Sequence, residues 1–164
     1  MATVNKNLSN YDFSLVPSAR GMKFGIVVAE WNENITEGLF KGVIDALLNC
    51  GCEENNIIRK NVPGSFELPL AAQFFFESTD VDAVICLGSV IQGETKHFDY
   101  VCQAVAHGIK DLNINSDVPV IFCVLTDSNI EQAKARSGGK LGNKGNEAAF
   151  AALKMAELNR NAKK

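Results

Sequence analysis

The apolar positions along the chain change period several times. Residues 23–31, KFGIVVAEW, form a nearly unbroken apolar run rich in β-branched side chains, the pattern of a strand buried on both faces. The segment ITEGLFKGVIDALLNCG then returns apolar residues at Ile35, Leu39, Val43, Ala46 and Leu47, which is helical spacing, and Gly51 offers a stop. Residues 56–62, NIIRKNV, alternate only in part, as an edge strand does. PGSFELPLAAQFFFES turns into a helix carrying Leu68, Leu70, Ala71, Phe74 and Phe75, with Pro69 tolerable only in its first turn. Residues 81–91, VDAVICLGSVI, give the strongest strand pattern. A helix follows through HFDYVCQAVAHGIKDLN, with Phe98, Val101, Val105 and Ile109 on one face. Residues 119–126, PVIFCVLT, predict a fourth strand; SNIEQAKARSG predicts a short helix closed by Gly138, and NEAAFAALKMAELNRN a long final one.

The order β-α-β-α-β-α-β-α-α calls for helical crossovers between parallel strands. With right-handed crossovers, the expected architecture is an α/β fold: a three-layer α/β/α sandwich, flavodoxin-like, around a four-stranded parallel sheet. Residues 1–20 lack a period and are expected to form an extended N-terminal arm ahead of a single domain over residues 21–164. No internal repeat interrupts it.

Composition adds exclusions. A chain of 164 residues with 46% apolar and 21% charged positions reads as soluble and globular. Its net charge of −3, with no basic run to offset it, speaks against a nucleic-acid partner. No apolar run reaches the roughly 18 residues a membrane span needs, and the N-terminus carries no signal-peptide core. Five cysteines, an odd number and several within apolar patterns, suit a reduced, cytoplasmic chain. The Cys50-Gly-Cys52 spacing lacks a second Cys or His pair, so no metal is expected.

In a sheet of this type ligands bind outside the carboxyl ends of the strands. Those ends carry Trp31, Asn32 and Glu33; Pro63, Gly64, Ser65, Phe66 and Glu67; residues 88–97; and Thr126, Asp127 and Ser128. Trp31, the only tryptophan, either packs on a helix or stacks on a planar ligand. In QGETKHF, Gly93, Glu94 and Thr95 are placed at a helix start, where free N–H groups and the helix dipole favour an anion. Thr95 either caps that helix or holds a phosphate. His97 stands two residues on, with an unperturbed pKa near neutrality, placed to move protons beside such an anion or else a surface residue. His107 has no such neighbours and is read as structural. SGGKLGNKG fails the phosphate-loop pattern GxxxxGK[ST]. Arg136, just before it, is either a solvated charge at a helix end or a forked phosphate donor.

Taken together, EWNENIT, VPGSFELP, LGSVIQGETKHFDYV, PVIFCVLTDSNIEQAKARSG and GNKGNEAA, in that order and spacing from about Gly21 onward, resemble the 6,7-dimethyl-8-ribityllumazine synthase family. The resemblance implies a transferase that condenses 5-amino-6-(D-ribitylamino)uracil with 3,4-dihydroxy-2-butanone 4-phosphate, in the penultimate step of riboflavin biosynthesis, without metal or organic cofactor. It implies His97 as the proton-transfer residue and Trp31 as the ring-stacking residue. Ser65, Phe66 and Glu67 would hold the ribityl chain and ring edge, and the backbone at Ser89, Val90 and Ile91 the uracil. Glu94, Thr95 and Arg136 would take the phosphate. Phe122, which its strand pattern alone would place in the core, would reach over a neighbouring subunit's pyrimidine. Asn32 and Lys144 are further contacts. Small-molecule substrates, a homopentamer, a shell of sixty subunits and an association with riboflavin synthase complete the implied partners. The alternative on the same fold is a flavin- or lumazine-binding protein without catalysis.

Overall fold

The computed structural model describes residues 15–163. Four parallel strands form its sheet: β1 (Phe24–Ala29), β2 (Ile57–Val62), β3 (Ala83–Ile91) and β4 (Val120–Asp127), in the order β2-β1-β3-β4. Five helices accompany them: α1 (Glu33–Asn49), α2 (Leu68–Ser78), α3 (His97–Asn115), α4 (Ile130–Arg136) and α5 (Lys144–Ala162). The expected α/β sandwich is therefore present, and β2 stands at a sheet edge as its partial alternation predicted.

Residue alternation along the strands splits the core in two. Ile26 and Val28 of β1, Ile85 and Leu87 of β3, and Cys123 and Leu125 of β4 pack with α1, α4 and α5. Val27, Val84, Cys86, Val120 and Val124 face the other way, onto α2 and α3. Because successive side chains of a strand point to opposite faces, the same strands floor both layers. All five apolar positions predicted for α1 are buried. On α2 only part of the predicted set is inside: Leu68 and Phe75 are buried, whereas Leu70 and Phe74 are exposed. Pro69 sits in the first turn, where its missing N–H costs no helical bond.

Two glycines set the spacing of the layers. A Cβ at Gly25 of β1 would lie 2.7 Å from the Phe75 ring. One at Gly108 of α3 would lie 2.8 Å from Pro69, so α2 and α3 approach more closely there than any side chain allows.

The glycine-rich link between α4 and α5 is a short antiparallel ribbon, β5 (Ser137–Gly139) with β6 (Gly142–Asn143). Gly138 and Gly142 supply the positive φ angles that turn requires, 114° and 89°. Asn143 then caps α5 by accepting from Gly145 N at 2.8 Å. Of the expected arm, residues 1–14 lie outside the described residues. Residues just after them are tied to the body: Val16 packs on the first core cluster and Ala19 N donates to the Cys50 carbonyl at 2.9 Å.

Candidate active site

At the carboxyl ends of β1, β2 and β3 the chain opens a cleft of about 540 Å³. Trp31, Asn32, Ser65, Phe66, Glu67, Ser89, Val90, Ile91 and His97 all line it, with Pro63, Gly64 and Val101. All but His97 and Val101 follow β1 or β2, or end β3, so the switch between strand and crossover is what brings them together.

Each wall has a local cause. Past the end of β1 the chain continues its pairing with the exit of β2: Glu30 N donates to the Val62 carbonyl at 2.8 Å and Trp31 N to Pro63 at 3.2 Å. Asn32 then takes a left-handed conformation, φ 62° and ψ 44°, and starts α1. Asparagine tolerates that region better than most residues. Its side-chain amide donates to the Ser89 carbonyl at 2.9 Å. The pairing of β1 with β3 stops at Val28 and Leu87, so Asn32 occupies a carbonyl that the departed strand leaves behind. Trp31, held at this bend, is 73% exposed, and Phe66, which also lines the cleft, is 61% exposed. Two large aromatics left this open in one cleft suit a planar ligand.

The second wall is the turn Ser65–Glu67, one short 3-10 helix feeding α2. Its seat is Gly88: a Cβ there would meet Ser65 Oγ at 2.6 Å. Ser65 is buried against that seat, which aims Phe66 and Glu67 outward. On the floor, Ser89 is buried and its Oγ has no hydrogen-bond partner, one of two such side-chain oxygens among the described residues. An orphaned hydroxyl in a cleft is a polar group that a ligand would satisfy.

The helix that carries His97 begins at His97, as its apolar pattern predicts, so Gly93, Glu94 and Thr95 lie ahead of its first turn rather than in it. Gly93, Glu94 and Thr95 precede it as a bend; Lys96 stands at the cap position and His97 is its first residue. Thr95 Oγ1 accepts from His97 N at 3.4 Å, a long contact. Glu94, Thr95 and His97 are all exposed. Gly93 has nothing within 4 Å of where a Cβ would stand, so the chain leaves β3 through open space.

Five expected site residues do not line the cleft: Glu94 and Thr95 lie just ahead of α3, and Arg136, Lys144 and Phe122 stand elsewhere. Arg136 ends α4, on the α1/α5 side of the sheet, and does not line the cleft. Its Nη1 donates to the Gln132 carbonyl at 2.9 Å and lies 3.4 Å from Asp127 Oδ1. Lys144 opens α5 and pairs with Glu147 at 2.6 Å. Phe122 is not in the core, contrary to its strand pattern. It lies on β4, an edge of the sheet, 42% exposed, in a groove of about 390 Å³ with Ile109, Ile114 and Val120. The reason is topological: no further strand or helix of the described chain covers that edge.

Sequence reasoning placed Asp127 after a strand but gave it no role. It is 6% exposed with Oδ2 unpaired. Burial raises its carboxyl pKa, and the Arg136 guanidinium pulls it back down. The thiols are poor nucleophiles: burial pushes Cys52 up to about 11 and Cys123 up to about 12. Among the described residues no three or more His, Cys, Asp or Glu cluster as a metal site would require, and no helix is long and apolar enough to cross a membrane.

A parallel α/β sandwich with an aromatic-walled cleft at its switch point, bearing a histidine at the mouth of a helix, defines a small-molecule-binding α/β protein. The model of the 6,7-dimethyl-8-ribityllumazine synthase family matches residues 21–160. Curated relatives of that name agree. The protein of Christiangramia forsetii is 60% identical over 164 residues, 99% of this chain and 98% of its own. That of Flavobacterium johnsoniae is 59% identical over 162 residues, 99% of this chain and 85% of its own. That of Porphyromonas gingivalis is 55% identical over 160 residues, 98% and 99% of the two chains. The chain belongs to the 6,7-dimethyl-8-ribityllumazine synthase family.

Proposed function

We propose that this chain is the transferase that condenses 5-amino-6-(D-ribitylamino)uracil with 3,4-dihydroxy-2-butanone 4-phosphate, releasing 6,7-dimethyl-8-ribityllumazine, orthophosphate and water. The observation that carries this reading is the single cleft holding Trp31, Ser65–Glu67, Ser89–Ile91 and His97. In it, Trp31 stacks on one face of the pyrimidine, and Phe66 lies along the ring edge and ribityl chain. The floor at Ser89, Val90 and Ile91 takes its polar edge, and Glu67 with the Ser65 turn takes the ribityl chain. Asn32, its amide committed to Ser89, holds the bend rather than the ligand.

The amine of the pyrimidine attacks the ketone and loses water to give an imine. Phosphate then leaves as the adjacent carbon gives up a proton, and ring closure with a second dehydration completes the lumazine. Each step moves a proton at neutral pH, and His97 on the rim is the group suited to carry it. Most of the rate gain comes from holding the two reactants together.

Among the described residues no Lys or Arg lines the cleft of one chain. Phe122, Arg136 and Lys144 stand outside it, two of them on the opposite layer from α3. We assign them to the cleft of a second copy, in which Glu94 and Thr95 sit at the phosphate end. A heterologous contact of this kind repeats around a ring, and a homopentamer is the ring proposed, with sixty subunits closing into a shell. The proposed division is an arm over residues 1–20 ahead of a single domain over 21–164. The proposed setting is the cytoplasm, with riboflavin synthase as the partner that consumes the product.

The test is the two-substrate assay on wild type and on Arg136→Ala. Lumazine absorbance and released phosphate rise together in wild type. Arg136→Ala raises KM for the phosphate substrate most; unchanged use of that substrate removes Arg136 from the anion site.

A further inference from the structure

β4 ends on Asp127, whose carboxylate no assigned role uses. It is buried to 6% exposure, yet one oxygen, Oδ2, has no partner. The other lies 3.4 Å from Arg136 Nη1. That same nitrogen donates to the Gln132 carbonyl at 2.9 Å, so both contacts use one corner of the guanidinium. Nε and Nη2 carry no hydrogen bond among the described residues, and the side chain is partly exposed. Arg136 thus presents its outer edge to solvent while, among the described residues, its inner corner is the only countercharge in contact with a buried carboxylate.

An ion pair of this geometry is a weak one. It is single-pronged and long, where a forked arginine–carboxylate pair makes two short bonds. A carboxylate buried without its full set of donors draws hard on the one cation it has. We propose that Asp127 is a built-in competitor for Arg136, an internal anion that shares the guanidinium with the substrate's phosphate and weakens the enzyme's hold on orthophosphate as it leaves. This rests on Arg136 being the phosphate's cation, as read above. Asp127 is then a specificity-determining residue that acts through Arg136 and touches no substrate.

The charge arithmetic gives the size. With Asp127 ionised, the pair is neutral to an incoming phosphate; with Asp127 neutral, the phosphate meets a full positive charge. A unit charge about 6 Å away across a partly solvated guanidinium changes affinity by about tenfold. Asparagine is nearly isosteric, still accepts from Nη1, and removes only the charge.

The experiment is calorimetric titration of orthophosphate into the assembled protein, for wild type, Asp127→Asn, Asp127→Ser and Arg136→Ala, with steady-state KM for each substrate alongside. Asp127→Asn is expected to bind orthophosphate about tenfold tighter and to lower KM for the phosphate substrate, leaving KM for the pyrimidine unchanged. Asp127→Ser, which removes the charge by another route, is expected to act in the same direction. If Arg136→Ala weakens orthophosphate binding while both Asp127 variants leave it unchanged or weaker, the competition is refuted and the anion assignment stands. If Arg136→Ala leaves it unchanged, the assignment fails and the competition falls with it.

Discussion

Gly88→Ala is a one-methyl change that links the core to the cleft. Gly88 lies in the middle of the sheet's longest strand, facing the α2 layer. An added Cβ would stand 2.6 Å from Ser65 Oγ, 3.0 Å from Leu68 Cδ1 and 3.3 Å from Ser65 Cβ. All three belong to the turn Ser65–Glu67 and the first residue of α2, so they move as a unit. Relief requires that turn to lift by several tenths of an ångström, and overpacking of this kind costs about 1–3 kcal/mol. Phe66 and Glu67 ride on the same turn and would leave their places on the cleft wall. Misplacement on that scale takes about tenfold to hundredfold from a reaction that depends on orientation. Denaturant unfolding should show the stability loss, and steady-state kinetics should show it mainly in KM for the pyrimidine substrate. Gly88→Ala/Ser65→Ala, which removes the closest contact, should recover part of the stability. Wild-type stability and kinetics in Gly88→Ala would refute the claim that this seat sets the wall.

His97→Ala should lower kcat about tenfold to hundredfold, measured as lumazine formation; a dead enzyme that still folds and binds ligand would show a larger role. Asn32→Gly should keep the left-handed bend but lose the amide bond to Ser89, whereas Asn32→Ala strains the bend as well; Trp31 fluorescence on ligand binding should shift in both and more in the alanine variant. Asp127→Asn should stabilise the fold at neutral pH, because burial raises the carboxyl pKa above its unfolded value, so the ionised form weighs against folding. That gain should shrink as pH falls toward the unfolded carboxylate value of about 3.9, where both states are protonated; an equal gain at acid and neutral pH would show that charge is not its cause. Light scattering at assay concentration should give a particle far above five subunits if the shell forms, and one near five if only the ring does.

Much of this was readable along the chain because period reports burial. Ile35, Leu39, Val43, Ala46 and Leu47 declared α1, and the run from 81 to 91 declared the central strand, since both are covered within one chain. The cleft followed from topology, as strand ends carry the aromatic and polar exceptions. What period cannot report is which edge stays open. Phe122 sits in a run as apolar as any core strand, and only the strand order leaves it exposed. Leu70 and Phe74 share a helix with buried neighbours but fall outside its packed stripe. Five residues of β5 and β6 are too few for any period, so only their glycines mark the ribbon. Arg136 and His97 were both expected to serve one site, yet α3 and α4 lie on opposite layers, which a linear motif does not encode.

The claim that one cleft needs two copies is tested most directly by complementation. His97→Ala and Arg136→Ala, each impaired alone, are co-refolded in equal amounts and assayed with both substrates. Where an Arg136→Ala copy offers its intact His97 cleft to a His97→Ala neighbour's intact Arg136, a whole site forms. Random pairing around a heterologous ring makes about a quarter of sites whole, and activity should recover to about that share of wild type. Activity no higher than the mean of the two single variants would place both residues in the same chain's site and contradict the account.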